Sequence, residues 1–251
     1  ASDVYKRQMV VMGMLLGGAL FYFQGSEIFP NIAQTPVWKM LLVMTVGFTL
    51  LPVPVSLDIR GWTEMHPLNG PAWSLFFEYI ANILYAVLIR KFTSRWLAVL
   101  VFLAACALIH QCYTQGNNIG GWTLDVEQCR VGLTRLMFPF FGGLLLFRLC
   151  KPGRVRHGFW WCSLLLVGAL AMPHVGGAEN FHLNGLYDAF CIIVIFPAVV
   201  FLGASDIPGD ISSRASRFLG NISYPLYITH YPIVYPVSYT HLRAHETRSN
   251  L

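Results

Sequence analysis

Among the residues of this chain that carry charge or titratable chemistry in apolar surroundings, Glu78, Arg135 and His230 come first. Glu78 closes the stretch Asn69-Gly-Pro-Ala-Trp-Ser-Leu-Phe-Phe-Glu78, which runs straight into an apolar helix. A carboxylate at the centre of a bilayer costs roughly 2.5–3.5 kcal/mol or more. An acid held at shallow depth in such a helix is therefore a candidate for acid/base work, charge stabilisation or binding of a substrate hydroxyl. Its structural alternative is a partner for an in-membrane Arg, or for Asn82, which lies four residues on and shares its face.

Arg135 sits in Leu133-Thr-Arg-Leu-Met-Phe-Pro-Phe-Phe-Gly-Gly-Leu-Leu-Leu-Phe-Arg148. Its planar fork suits a carboxylate or another anionic group, and the alternative is snorkelling to the interface. His230 lies in Phe218-Leu-Gly-Asn-Ile-Ser-Tyr-Pro-Leu-Tyr-Ile-Thr-His-Tyr-Pro232, beside Ser223, Tyr224, Tyr227 and Thr229. An imidazole with an ordinary pKa near 6.5 can shuttle protons, and the alternative is a helix–helix hydrogen bond. His66, His110, His157, His174 and His182 read as interfacial or loop residues. Ser74 has no base identifiable from sequence, and there is no G-x-S-x-G, Walker or dinucleotide glycine pattern. The six cysteines show no metal-ligand spacing, and no metal is expected. A Cys112–Cys129 bridge across one polar loop stays open, since spacing does not supply the geometry. Gly17-Gly18 and Gly142-Gly143 read as close-packing positions in apolar helices.

The elements that must hold these residues are membrane helices. The 251 residues are 55% hydrophobic and only 12% charged, with mean hydropathy +0.55; soluble domains carry about 25% charged residues. The net charge of +5 lies in loops rather than in a basic, aromatic-interleaved patch, so nucleic acid is not an expected partner and a lipid bilayer is. Runs of about 20 apolar residues predict spans near 9–23, 36–55, 71–90, 95–113, 131–149, 158–173, 186–204 and 217–236. The fold class expected is all-α, a polytopic bundle of seven or eight helices. Three basic clusters (Arg90, Lys91 and Arg95; Arg148, Lys151, Arg154 and Arg156; Arg214 and Arg217) alternate with loops near 114–130 and 174–185 in which Arg130 is the only Lys or Arg. The positive-inside rule puts the clusters in the cytoplasm and the mouth of the Glu78 helix outside. Pro52 and Pro54 break the second span, which makes the sidedness of the first two helices the weak point.

The ends differ from the rest. Residues 1–8 are polar and switch abruptly to an apolar run at Met9; 237–251 follow a hydrophobic span without cap or stop. Both resemble translated sequencing-adaptor sequence, so the expected domain is 9–236 with non-native tails. His241 and His245, four apart in the second tail, are not read as metal ligands.

Three blocks together carry a family resemblance: Asn69 to Glu78 with its continuation Tyr79-Ile-Ala-Asn-Ile-Leu-Tyr-Ala86, Arg135 to Gly143, and Leu219-Gly-Asn-Ile-Ser-Tyr-Pro-Leu-Tyr-Ile-Thr-His230. The chain resembles the acyltransferase 3 family of bacterial membrane O-acyltransferases over about 9–236. The resemblance implies a ten-helix bundle in the bacterial inner membrane. Its members transfer an acyl group, often acetyl, from acyl-CoA as co-substrate to a hydroxyl of a glycan or small molecule, a transfer of groups other than aminoacyl. Glu78 and His230 are then the catalytic candidates, and Trp73, Asn82, Arg135, Tyr224 and Tyr227 the substrate-binding ones. Similar proteins carry an Arg and a His about ten residues apart on a first helix, and later an Arg-x-x-Arg. This sequence has no such pair on its first helix and no Arg-x-x-Arg ahead of its early helices, the one at Arg214–Arg217 falling far later, so the main catalytic His is expected upstream of it and the chain is expected to be inactive alone. The rival reading is a transporter or polysaccharide-export accessory in which Glu78 and His230 line a path without covalent chemistry; no inverted repeat supports it.

Overall fold

Each predicted apolar run contains a helix in the computed structural model. It describes residues 2–24, 29–174, 177, 179–207 and 209–249, without the side chains of 2–4, 6 and 235–249. The helices are α1 (Ser2–Ala19), α2 (Val37–Phe48), α3 (Ala72–Val87), α4 (Ser94–Gln115), α5 (Val126–Leu149), α6 (Gly158–Leu170), α7 (Phe181–Ala204) and α8 (Asp210–Ser249). Three of them, α4, α5 and α7, are long and apolar enough to cross a membrane. The protein is an all-α membrane helix bundle, and its outer surface agrees: Trp96, Phe102 and Phe147 are exposed by 66%, 66% and 84%, which only lipid makes affordable over so wide an apolar surface. A bilayer leaves no backbone group unpaired. In α7, Pro197 cannot donate to the turn before it, and a π-turn over Cys191–Ile195 absorbs the mismatch.

The chain divides into two compact units, one of Ala1–Phe76, Trp122–Cys129 and Leu219–Leu251, the other of Phe77–Gly121 and Arg130–Phe218. In the first unit the expected second span is not one continuous helix. Helix α2 has 12 residues, about 18 Å, against a hydrocarbon core of about 30 Å. After Phe48 the backbone turns through Leu50 at φ 60°, and Pro52 and Pro54 keep it extended. It comes back to where α2 began. Lys39 Nζ donates to the Asp58 carbonyl at 2.9 Å, Thr35 Oγ1 to the Ile59 carbonyl at 3.2 Å, and the Asn31 N–H to the Arg60 carbonyl at 3.4 Å. The predicted span 36–55 is thus an excursion whose two ends meet. Its core is Met14, Phe21, Phe29, Val43, Ile59 and their neighbours.

In the second unit α4 packs on α7 around Leu108, Cys112, Phe138 and Ala189, so closely that any side chain at Gly185 would meet the Cys112 carbonyl. A two-residue parallel pair, β1 (Val155–Arg156) with β2 (Asp206–Ile207), fastens the start of α6, where Asp206 Oδ1 accepts the Gly158 N–H at 2.7 Å. One open question closes here and one reading changes. Cys112 and Cys129 are free thiols. The atoms nearest to a β-carbon at Gly142 are those of its own helix's Phe138, at ordinary van der Waals distance, and Gly143 meets nothing within 4 Å, so neither glycine marks a close approach of another helix among the described residues.

Candidate functional site

In the first unit the segment before α3 concentrates polar groups inside. Arg60 is fully buried and its Nη1 donates to Glu64 Oε2 at 3.0 Å. Its Nη2 donates to Gln24 Oε1 at 2.7 Å, and the guanidinium lies 4.7 Å from the centre of the Phe29 ring. A buried charge survives only with such a set of partners. The strand-like stretch that follows is fixed from outside: the Val53 N–H donates to the Met65 carbonyl and the Met65 N–H to the Trp122 carbonyl, both at 2.8 Å.

The next four residues, His66-Pro-Leu-Asn69, make a turn closed by the Asn69 N–H on the His66 carbonyl at 3.0 Å. Both side chains at its ends are 1% exposed. His66 is therefore not the interfacial loop residue expected from its position. Burial pushes its pKa down to about 4, and neither ring nitrogen has a hydrogen-bond partner. Asn69 Nδ2 donates to the Ile228 carbonyl of α8 at 3.1 Å, while its Oδ1 has no partner. Helix α1 meets the turn backbone to backbone, which is why Gly17 is glycine: a β-carbon there would collide with the Leu68 carbonyl.

The first turn of α3 continues the polar set. The Tyr227 hydroxyl donates to the Pro71 carbonyl at 3.0 Å and lies 2.5 Å from Ser74 Oγ, which also donates to Pro71 at 3.1 Å. Trp73 is half-buried on the same turn. Tyr224, one turn before Tyr227 on α8, faces the Tyr5 ring at 6.4 Å. His230 is half-buried, and its Nδ1 lies 2.9 Å from the Tyr227 carbonyl and 3.1 Å from that of Leu226. Two acceptors facing Nδ1 require the proton there, which leaves Nε2 as the atom able to take or give one.

In the second unit Glu78 is exposed on α3, and its carboxylate has no hydrogen bond or ion pair among the described residues. Asn82, also exposed, uses its amide to donate to the Glu78 backbone carbonyl at 2.8 Å, not to the carboxylate. Arg135 is half-buried and donates to the Gly120 carbonyl. Arg148 donates to the Phe92 carbonyl at 2.7 Å, tying the end of α5 to the α3–α4 connection. Among the described residues no group of three His, Cys, Asp or Glu side chains could hold a metal ion.

The structure thus brings together Trp73, Tyr224, Tyr227 and His230 of the sequence candidates, and adds three that sequence reading set aside. Ser74 was set aside because its side-chain neighbour, the Tyr227 hydroxyl, is 153 residues away in the chain. Asn69 was read as a turn marker. His66 was read by its position in a loop, and no pattern around it signals burial.

A family model described as an acyltransferase domain matches residues 6–245. No curated protein matches, and no solved structure does.

Proposed function

We propose a reaction for a chain that belongs to the acyltransferase 3 family: transfer of an acyl group, acetyl in the simplest case, from acyl-CoA to a hydroxyl of a glycan or small molecule at the bacterial inner membrane. The observation that carries it is the family match over 6–245. The protein is integral to the membrane. With the three basic clusters on the cytoplasmic side, the donor arrives at the end of α3 near Arg90 and Arg95.

Acyl transfer needs a base for the acceptor hydroxyl and stabilisation of the tetrahedral oxyanion. Glu78 binds or polarises the acceptor, and its open, unpaired carboxylate suits that role. Asn82 and Arg135 bind substrate on the same unit. Tyr227, Tyr224 and Trp73 bind substrate on the other, and His230 relays a proton through Nε2. The Arg and His pair of similar proteins is not in this sequence, so residues 1–251 alone do not turn over.

The test is transfer of labelled acetyl from acetyl-CoA in membrane vesicles, using residues 1–251 and the same chain joined behind a first helix that carries the Arg and His pair. Label in an alkali-labile ester with the joined protein only, lost on Glu78→Gln, is the expected result. A glycan crossing the membrane unlabelled overturns it in favour of transport.

A further inference from the structure

The turn His66–Asn69 holds polar atoms that the fold leaves unpaired at depth. Leaving a buried donor or acceptor unmade is unfavourable, and apolar residues of similar shape would avoid it. Folding therefore does not explain His66. The neutral imidazole offers one N–H donor and one nitrogen acceptor, and Asn69 Oδ1, at the other end of the same turn, offers an acceptor. All three atoms are buried. Asn69 is anchored to α8 through Ile228, and the turn backbone is pressed on α1 at Gly17, so the turn is held from two sides. A partner that complements it donates one hydrogen bond and accepts one. It is also uncharged, because a bare charge brought into so dry a place pays a heavy desolvation cost.

We propose that the turn His66–Asn69 is a binding site for an alcohol hydroxyl, which accepts from the His66 N–H and donates to Asn69 Oδ1. That the hydroxyl belongs to the acyl acceptor rests on the acyl-transfer reading; the site itself does not. No covalent step is assigned to His66. The phosphates of a CoA donor are excluded from this position by their charge.

The test measures binding rather than turnover. Residues 1–251 in detergent are melted with increasing methyl β-D-glucoside, a neutral polyol, and separately with glucuronate and with CoA, for the wild type, His66→Leu and His66→Gln. The glucoside raises the wild-type melting temperature and glucuronate does not. His66→Leu melts at or above the wild type without additive, and its apparent Kd for the glucoside rises by about tenfold or more, the equivalent of one lost hydrogen bond. His66→Gln, whose amide both donates and accepts, keeps part of the response. The response to CoA is the same in all three. Absence of a glucoside response in the wild type overturns the proposal, as does an undiminished response in His66→Leu. A His66→Leu protein melting well below the wild type overturns it too, since the imidazole then serves packing or a structural water. Failure of the acyl-transfer reading shows separately, as absent label in the acetyl assay, and leaves these melting results intact.

Discussion

The two units place their candidate site residues differently, although both bury some polar groups, Gln111 and Ser205 in the second among them. In the first, Arg60, Glu64, His66 and Asn69 are all at most 6% exposed and are held by hydrogen bonds across four chain segments. The second leaves Glu78 and Asn82 on an exposed face of α3. The contrast separates two uses of a polar group in an apolar protein. A buried ion pair fixes the positions of the segments around it, so its loss is felt as stability. On the acyl-transfer reading, an exposed acid that holds no packing contact is expected to be felt in activity rather than in stability.

The largest effect expected on this contrast is at the buried pair. Arg60→Met leaves Glu64 buried without its guanidinium and lowers stability by about 3–5 kcal/mol, measured by thermal unfolding in detergent; an unchanged melting temperature would abolish the distinction between the units. Next comes acid. The unfolded chain protonates His66 near pH 6.5 and the fold only near 4. Unfolding therefore takes up a proton between those values. The His66 contribution is intact above pH 6.5, declines as pH falls, and amounts to a loss of roughly 3 kcal/mol by about pH 4. A pH series of melts on wild type and His66→Leu isolates that component as the difference between them.

Glu78→Gln in the joined protein is expected to reduce acetyl transfer by about a hundredfold while stability stays within about 0.5 kcal/mol. A Glu78→Gln protein that unfolds would move Glu78 into the structural class. Gly17→Ala forces a methyl against the Leu68 carbonyl and costs about 1–3 kcal/mol, sharpening the claim that the turn is gripped by α1. The smallest effect is at Asn82→Ala, which removes one exposed bond to the helix backbone and shifts stability by less than about 0.5 kcal/mol; its effect on acceptor KM then reports substrate contact alone.

Helix existence was legible in the sequence because the bilayer demands long apolar runs, and every predicted run contains a helix. Continuity was not. Residues 36–55 are apolar enough to span, yet Pro52 and Pro54 end the helix and the hydrogen bonds of Asp58, Ile59 and Arg60 bring the chain back beside residues 31–39. Hydropathy counts residues and is blind to direction. The same limit applies to the site. Glu78 and His230 announced themselves by being polar in apolar runs. His66 did not, because its setting is a loop by sequence and an interior by structure.

The sequence by itself determined an all-α membrane bundle, its family through the Trp73-to-Glu78 and Ile222-to-His230 blocks, and the residues with chemical capacity. Those follow from local quantities: hydropathy over 20 residues, the spacing of turn residues and the types of side chain. Only the tertiary structure decided that α2 and its return form an excursion, that Ser74 meets Tyr227, and that His66 and Asn69 stand buried with unpaired polar atoms. Each depends on segments from tens to more than a hundred residues apart packing together, and packing sets which polar groups find partners and which are left for something else.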